Sequence, residues 1–177
     1  MNLDAPLVER LSRGDFDALG PLYQRYGADV RSVILRVEPQ MVREDADDLC
    51  QEVFLTFVDT LGRYTEQGQL RSWLFGIAVR KARSWRRRRW GRRLLGLQHG
   101  AAAAGVSLHA VRPTEQIDAR HRIQNILESL PAAQREVLVL HVIEGLSARE
   151  TSDVLGISEN AVATRLRRAR KTMKEAA

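Results

Sequence analysis

Apolar residues along this chain recur at three- and four-residue intervals, and nowhere do they alternate over a sustained run bounded by turn residues. That period puts them on one face of an α-helix and predicts an all-α fold. The cleanest stretch is DADDLCQEVFLTFVDTL, residues 45–61. There Leu49, Val53, Phe57 and Leu61 form one row and Cys50, Phe54 and Val58 the next, leaving Asp48, Gln51, Glu52 and Asp59 on the outer side. Cys50 falls in the apolar stripe and is read as packing, since free cysteine behaves as a small hydrophobe.

Upstream, Asp4 can cap a short helix with Pro6 in its first turn, running to Leu11. Asp15 then caps a second helix carrying Phe16, Leu19, Leu22, Tyr23 and Tyr26, expected to stop or bend near Gly27. A third, from about Ala28 to Val37, places Val30, Val33, Ile34 and Val37 together. Downstream, a helix begins near Leu70 with Trp73, Leu74, Ile77 and Ala78 as apolar positions. It runs into SWRRRRWGRR, residues 84–93, with order expected through Arg89 and fraying near Gly91. From Leu94 to Pro113 glycines and small residues show no amphipathic face, which predicts a linker.

The second half restarts at Thr114. Ile117, Ile123, Ile126, Leu127 and Leu130 predict a helix ending at Pro131, and Val137, Leu138, Leu140 and Val142 predict another ending at Gly145. Ser147 and Glu150 then form an S-x-x-E capping box for a helix to Leu155, Gly156 supplies a left-handed turn, and Ser158 caps a last helix. In that helix Val162, Leu166, Ala169 and Met173 share the inward stripe, while Thr164, Arg165, Arg167, Arg168, Arg170 and Lys171 face elsewhere. Two capped helices joined by a tight turn, the second basic on its outer side, have the pattern of a DNA-binding helix-turn-helix.

Charge sharpens this picture through its distribution. The 177-residue chain carries a net charge of +6, but residues 44–59 hold six acids and no base, while residues 71–93 hold ten bases and no acid. Residues 165–174 add six more bases without an acid. Such blocks imply at least two kinds of partner, and the basic balance fits an acidic one, with nucleic acid and an anionic membrane surface both open at this point. No apolar run of membrane-spanning length occurs, which predicts no membrane insertion, and the N-terminus lacks a signal-peptide pattern, which predicts a cytoplasmic protein. The single cysteine, Cys50, excludes an internal disulfide. His99, His109, His121 and His141 show no metal-ligand spacing, and no catalytic constellation accompanies the acids, so neither a cofactor, a metal nor an enzyme is expected.

Four stretches together resemble a known family: LVERLSRGDFDALGPLYQRYGADV, DADDLCQEVFLTFVDTLGRY, RSWLFGIAVRKARSWRRRR and LPAAQREVLVLHVIEGLSARETSDVLGISENAVATRLRRAR. In this order they resemble bacterial RNA polymerase sigma factors of the sigma-70 family, extracytoplasmic-function type. The resemblance implies two helical domains: residues 1–93 for polymerase docking and −10 melting, and residues 114–177, a four-helix domain with the helix-turn-helix, for the −35 element. A flexible linker, 94–113, would join them.

The same resemblance makes Asp45, Asp48, Gln51 and Glu52 contacts to the coiled coil of the polymerase largest subunit. It makes Arg80, Lys81, Arg83, Trp85, Arg86, Arg87 and Arg88 contacts to the melted strand, where single-stranded DNA is held by cationic grooves and aromatic platforms. Ser158, Asn160, Thr164, Arg165, Arg167, Arg168 and Arg170 become −35 contacts. Arg80 stands where the family usually has asparagine, which shifts that position from base discrimination toward phosphate. Ala163 stands where relatives often place a lysine or arginine, moving readout toward Asn160, Thr164 or Arg168. Many members are held by a membrane-bound anti-sigma factor, a candidate third partner. The alternative is a stand-alone helix-turn-helix regulator that never meets polymerase; it leaves the acidic helix unexplained.

Overall fold

The computed structural model describes residues 4–64, 69–94 and 115–175, and among them there are helices and turns but no strand. Helix α1 spans Ala5–Ser12, and a 3-10 turn at Phe16–Ala18 leads into α2, Leu19–Val37. Helix α3 is Arg43–Asp59, followed by a 3-10 turn at Leu61–Arg63, and α4 is Leu70–Leu94. The second half comprises α5, Glu115–Ser129; α6, Ala132–Val137, which continues through a π turn at Leu138–Ile143; α7, Ala148–Leu155; and α8, Glu159–Glu175.

In the first half α2, α3 and α4 pack against one another. Leu22, Val30, Val33, Ile34, Val53, Phe54, Phe57, Leu74, Phe75 and Ala78 are all essentially inaccessible to water. Cys50 is buried as expected, its Sγ 3.5 Å from the Gly27 carbonyl, and burial pushes its thiol pKa up. The chain does not break at Gly27. α2 runs through it, with Gly27 buried: an added Cβ would stand 3.4 Å from the ring of Tyr23 on the same helix, and that ring tilts against Phe54 of α3 at 4.9 Å. Glycine there costs helix propensity of about 1 kcal/mol, and α3 comes close enough to bond its carbonyl. Pro21 sits in the first turn of α2, where its missing N–H has no helical partner to lose.

Two polar residues near the N-terminus behave differently. Asp15 caps the 3-10 turn, accepting from the Asp17 N–H at 3.2 Å. Asp4 precedes α1 but does not cap it; its carboxylate instead pairs with Arg25 and accepts from the Tyr26 hydroxyl at 2.5 Å, tying α1 to α2. Burial, with the Asp4 carboxylate beside it, pushes the Tyr26 phenol up to about 12. Phe16 and Tyr23, expected inside, are exposed.

In the second half Val137, Val139, Leu140, Val162, Leu166 and Ala169 are buried where α6, α7 and α8 meet. The capping box is complete: Ser147 Oγ accepts from the Glu150 N–H at 3.1 Å, and the Glu150 carboxylate accepts from the Ser147 N–H at 2.8 Å and hydroxyl at 2.7 Å. Gly156 ends α7 with φ 66° and Gly145 ends the π turn with φ 73°, both left-handed as anticipated. Ile123, Ile126 and Val142, expected in the core, are exposed: Val142 lies in the π turn, which rotates the face that α6 alone would extend, and on the α5 side Leu127 and Leu130 are the buried positions in place of the two isoleucines. The linker lies almost wholly outside the described residues, as do the Thr114 cap and the Ile117 side chain; Leu94 is the last residue of α4, so the arginine segment is helical past Gly91.

The two halves meet along a polar seam. Arg135 is 8% exposed and lies between helix ends: its Nε donates to the Val37 carbonyl at 2.8 Å, and its Nη1 to the Leu127 carbonyl at 2.9 Å and the Leu130 carbonyl at 3.3 Å. These carbonyls lie at or just past the C-terminal ends of α2 and α5, at the negative end of the helix dipole, and the Leu127 carbonyl also accepts from the Leu130 N–H at 3.3 Å. Burial draws the Arg135 pKa down, against the raising effect of Glu38.

Replacing Arg135 with methionine should take the guanidinium donor from the Val37 and Leu130 carbonyls at a penalty of about 1–3 kcal/mol for each one that water cannot reach. A thermal melt should show a midpoint at least about 4 °C lower; an unchanged midpoint would mean the guanidinium is not holding the seam. Ser147→Ala should cost about 1 kcal/mol of stability at neutral pH. The Ser147 hydroxyl and N–H hold the Glu150 carboxyl below its usual range, so this contribution is present above the ordinary glutamate pKa and is lost as pH falls through the depressed one. The difference between Ser147→Ala and the parent in a urea midpoint should therefore shrink in acid.

Candidate functional site

Helix α3 presents Asp48, Gln51 and Glu52 to solvent, with Asp45 half-buried at its N-terminal end. The sequence shows no base among these acids, but the fold supplies cations from other helices. Arg31 of α2 pairs with Asp47, Lys81 of α4 with Glu52 at 3.0 Å, and the Trp85 Nε1–H donates to Asp45 at 3.2 Å. Asp48 and Gln51 have no such partner among the described residues. Leu55, 60% exposed, lies on the same outer side one turn on. Sequence reasoning passed over it, although its place outside both apolar rows was the available signal.

Helix α4 divides its basic residues among faces. Positions 81 and 85 turn to α3: Lys81 meets Glu52, and Trp85, stacked beneath the Arg89 guanidinium at 5.3 Å, meets Asp45. Positions 83 and 86 turn to the second half. Arg83 forms a fork on Glu136, Nε to Oε1 at 3.0 Å and Nη2 to Oε2 at 2.7 Å, while Arg86 pairs with Glu38 and reaches Glu136 at 3.5 Å. Positions 80, 87 and 88 turn to solvent, and among the described residues none of the three has a carboxylate partner; Arg88 donates only to Ser84, at 3.2 Å.

The Arg80 guanidinium folds back over Gly76, where an added Cβ would come within 3.2 Å of Nη1. Partial burial and the positive charge of Arg83 lower its pKa. Both act by disfavouring the cation. Trp73 packs edge-on to Tyr64 at 5.8 Å, in keeping with a structural role. Trp85 and Trp90, with Arg86 and Arg89, line a cavity of about 270 Å³ at the seam.

Helix α8 keeps its apolar stripe inward and leaves Asn160, Arg167, Arg168 and Arg170 exposed, with Thr164 and Arg165 half-exposed. Ser158 is occupied as a cap, its hydroxyl accepting from the Ala161 N–H at 3.2 Å. Among the described residues Arg165, Arg167, Arg168 and Arg170 have no carboxylate partner, whereas Arg25, Arg31 and Arg36 of α2 are each ion-paired. No cluster of three or more potential metal ligands occurs among the described residues, and no described helix is long and apolar enough to cross a membrane.

Residues 22–92 match the family model of sigma-70 region 2, and residues 120–173 that of sigma-70 region 4. The chain is 32% identical to the RNA polymerase sigma factor NccH of Alcaligenes xylosoxydans xylosoxydans, across 96% of this chain and 91% of that protein. It is 32% identical to the ECF RNA polymerase sigma factor SigD of Mycobacterium bovis, across 98% of this chain and 82% of that protein. The solved structure of CnrH in complex with the cytosolic domain of CnrY is similar with a TM-score of 0.70 at 28% identity, covering 98% of this chain and 96% of that one. With an acidic helix, a basic helix and a helix-turn-helix in the order of regions 2 and 4, the chain belongs to the sigma-70 family of RNA polymerase sigma factors, in its extracytoplasmic-function group.

Proposed function

We propose that this sigma factor works as a promoter-specificity subunit with no active site of its own, in the compartment that holds core RNA polymerase. α3 docks on the coiled coil of the polymerase largest subunit through Asp45, Asp48, Gln51 and Glu52, with exposed Leu55 adding apolar contact. The solvent face of α4, Arg80, Arg87 and Arg88, holds the melted −10 strand, with Arg83 and Arg86 beside it. α8 lies in the major groove of the −35 element, Asn160, Thr164 and Arg168 toward bases and Arg165, Arg167 and Arg170 toward phosphates. Ser158 contributes by capping α8, which leaves its backbone end aimed at the duplex.

The observation that carries this reading is the set of arginines on α4 and α8 left without carboxylates, in a fold that pairs every arginine of α2. Unneutralised cations on two separate helices are what a protein needs to hold two separate stretches of DNA at once, and joining them in one chain makes the second contact effectively intramolecular. The CnrH structure contains a bound cytosolic domain of CnrY, which supports a regulatory protein of that kind as a third partner here.

Run-off transcription with purified core polymerase on a promoter library tests the function. Specific initiation on addition of the protein is expected; duplex binding by the protein alone with no initiation would favour the stand-alone regulator. Because Glu52 is tied to Lys81, Asp48→Lys is the cleaner probe of docking: affinity for core should fall at least about tenfold, a loss of some 1.4 kcal/mol, with an unchanged melting midpoint. For −35 contacts, Arg167→Ala should weaken binding to all sequences alike and reduce the salt slope by about 1, whereas Arg168→Ala should cost about 1–3 kcal/mol at one base position. Equal behaviour of the two variants on a set of single-base operator changes would contradict the division into phosphate and base contacts.

A further inference from the structure

Trp90, Arg89 and Glu128 take no part in docking or strand contact in the reading above, yet they meet at one cavity. It measures about 270 Å³ and lies where the last turns of α4 face the α2–α3 turn and α5. Two indoles, three guanidinium groups and two carboxylates line it. Two of the three cations are already engaged: Arg86 by Glu38 and Glu136, and Arg135 by the carbonyls of Val37, Leu127 and Leu130. The third, Arg89, has no carboxylate partner among the described residues; its Nη1 donates to the Gln40 carbonyl at 3.2 Å and its guanidinium lies 5.3 Å over Trp85. Trp90 is 61% exposed, with no ring or hydrogen-bond partner among the described residues. Among those residues Glu128 accepts a single long hydrogen bond, 3.4 Å, from Gln124.

We propose that this cavity is a binding site for a free guanine nucleotide, with the base stacked on Trp90, its N–H edge on Glu128 and its phosphate on Arg89. An exposed indole offers a stacking face that every base accepts, so Trp90 supplies affinity without choice. Choice comes from the carboxylate. Ionised Glu128 can accept but not donate, and guanine presents two adjacent donors, N1–H and the 2-amino group, to both of its oxygens. Adenine turns an acceptor, N1, to the same place, and two acceptors facing each other gain no bond. The Arg89 fork can donate two parallel N–H bonds to phosphate oxygens. Arg86 and Arg135, though engaged, keep the local field positive, which favours an anion. At about 270 Å³ the cavity is at the small end of ligand sites, roughly 300–1,000 Å³, so it takes a base and its ribose and leaves the phosphate at the mouth. A packing role does not account for the set, because an indole left largely in water covers little apolar surface. The site uses none of the docking acids of α3, the solvent-facing arginines of α4 or the arginines of α8, so it goes beyond the promoter reading and does not depend on it.

Calorimetric titration of the full chain with GMP, AMP, guanosine and inorganic phosphate, without polymerase or DNA, tests the site. GMP should bind at least about tenfold more tightly than each of the other three. Trp90→Ala should lower GMP affinity at least about tenfold. Arg89→Ala should bring GMP down to the level of guanosine and leave guanosine itself unchanged. Glu128→Gln should remove the preference for GMP over AMP, because an amide pairs with adenine as well. A change of base preference is a readout that lost packing alone does not produce. No binding of GMP at millimolar concentration by the folded parent would overturn the site. Equal affinity for GMP and AMP would overturn guanine recognition, and phosphate binding as tight as GMP would overturn the stacked base. A Glu128→Gln variant that keeps the preference would overturn the role of the carboxylate. If a variant fails to fold, the four ligands on the parent decide by the same outcomes. Absence of initiation on core polymerase, with GMP binding intact, would defeat the promoter reading alone.

Discussion

A buried guanidinium at the junction of helix ends constrains the rest of this molecule. Arg135 bonds the last carbonyl of α2 and carbonyls at the end of α5, so it fixes the C-terminus of α2 against the second half. A buried cation is unfavourable unless such acceptors surround it, and helix C-termini are a good source of them, since their carbonyls are unpaired and their dipoles negative. Its neighbour in sequence is Glu136, so placing Arg135 also places the carboxylate that meets Arg83 and Arg86. From that single contact follows the register of α6 against α4, and with it which arginines of α4 look inward.

The distribution of charge on α4 then reads as a geometric consequence of helical spacing. Its basic residues are so many that one helix face cannot carry them, and the helix has neighbours on two sides. The side toward α3 takes Lys81 to Glu52 and the Trp85 N–H to Asp45, which ties the acidic helix to the basic one through direct bonds. The side toward α6 takes Arg83 and Arg86. Arg80, Arg87 and Arg88 are turned to water, with no carboxylate partner among the described residues. The fold thus sorts a run of near-identical residues into a set bonded to α3, a set paired with Glu38 and Glu136, and an exposed set, using nothing but their spacing of three, four and seven.

The helices of the first half and the helix-turn-helix were legible in the sequence because local rules determine them. Leu49 to Val58 repeat with the helical period over an uninterrupted stretch, and Ser147, Glu150 and Gly156 are cap residues whose partners lie within a few positions. Gly27 misled because a glycine in a helix looks like a stop, and only the approach of α3, carrying Cys50 and Phe54, shows why it is inside one. Ile123, Ile126 and Val142 look like core positions on regular helices; the π turn at Leu138–Ile143 changes the register at Val142, which nothing in residue type announced, and α5 buries Leu127 rather than its isoleucines. The acidic block looked uncompensated because Arg31, Lys81 and Trp85 are distant in sequence. Within the site, residue types and order were readable, but the pairing of Arg83 with Glu136, 53 positions away, depends on how the halves pack, and pattern reading does not reach that.

The central claim is that α4 meets the melted strand with its solvent face and keeps its α3-facing side for structure. Photocrosslinking in the full initiation complex addresses it directly, with a photoreactive amino acid placed at Arg87 or at Lys81 and the non-template strand labelled. The account predicts strong crosslinks from position 87 and none above background from position 81. Equal yields, or a yield confined to position 81, would contradict it.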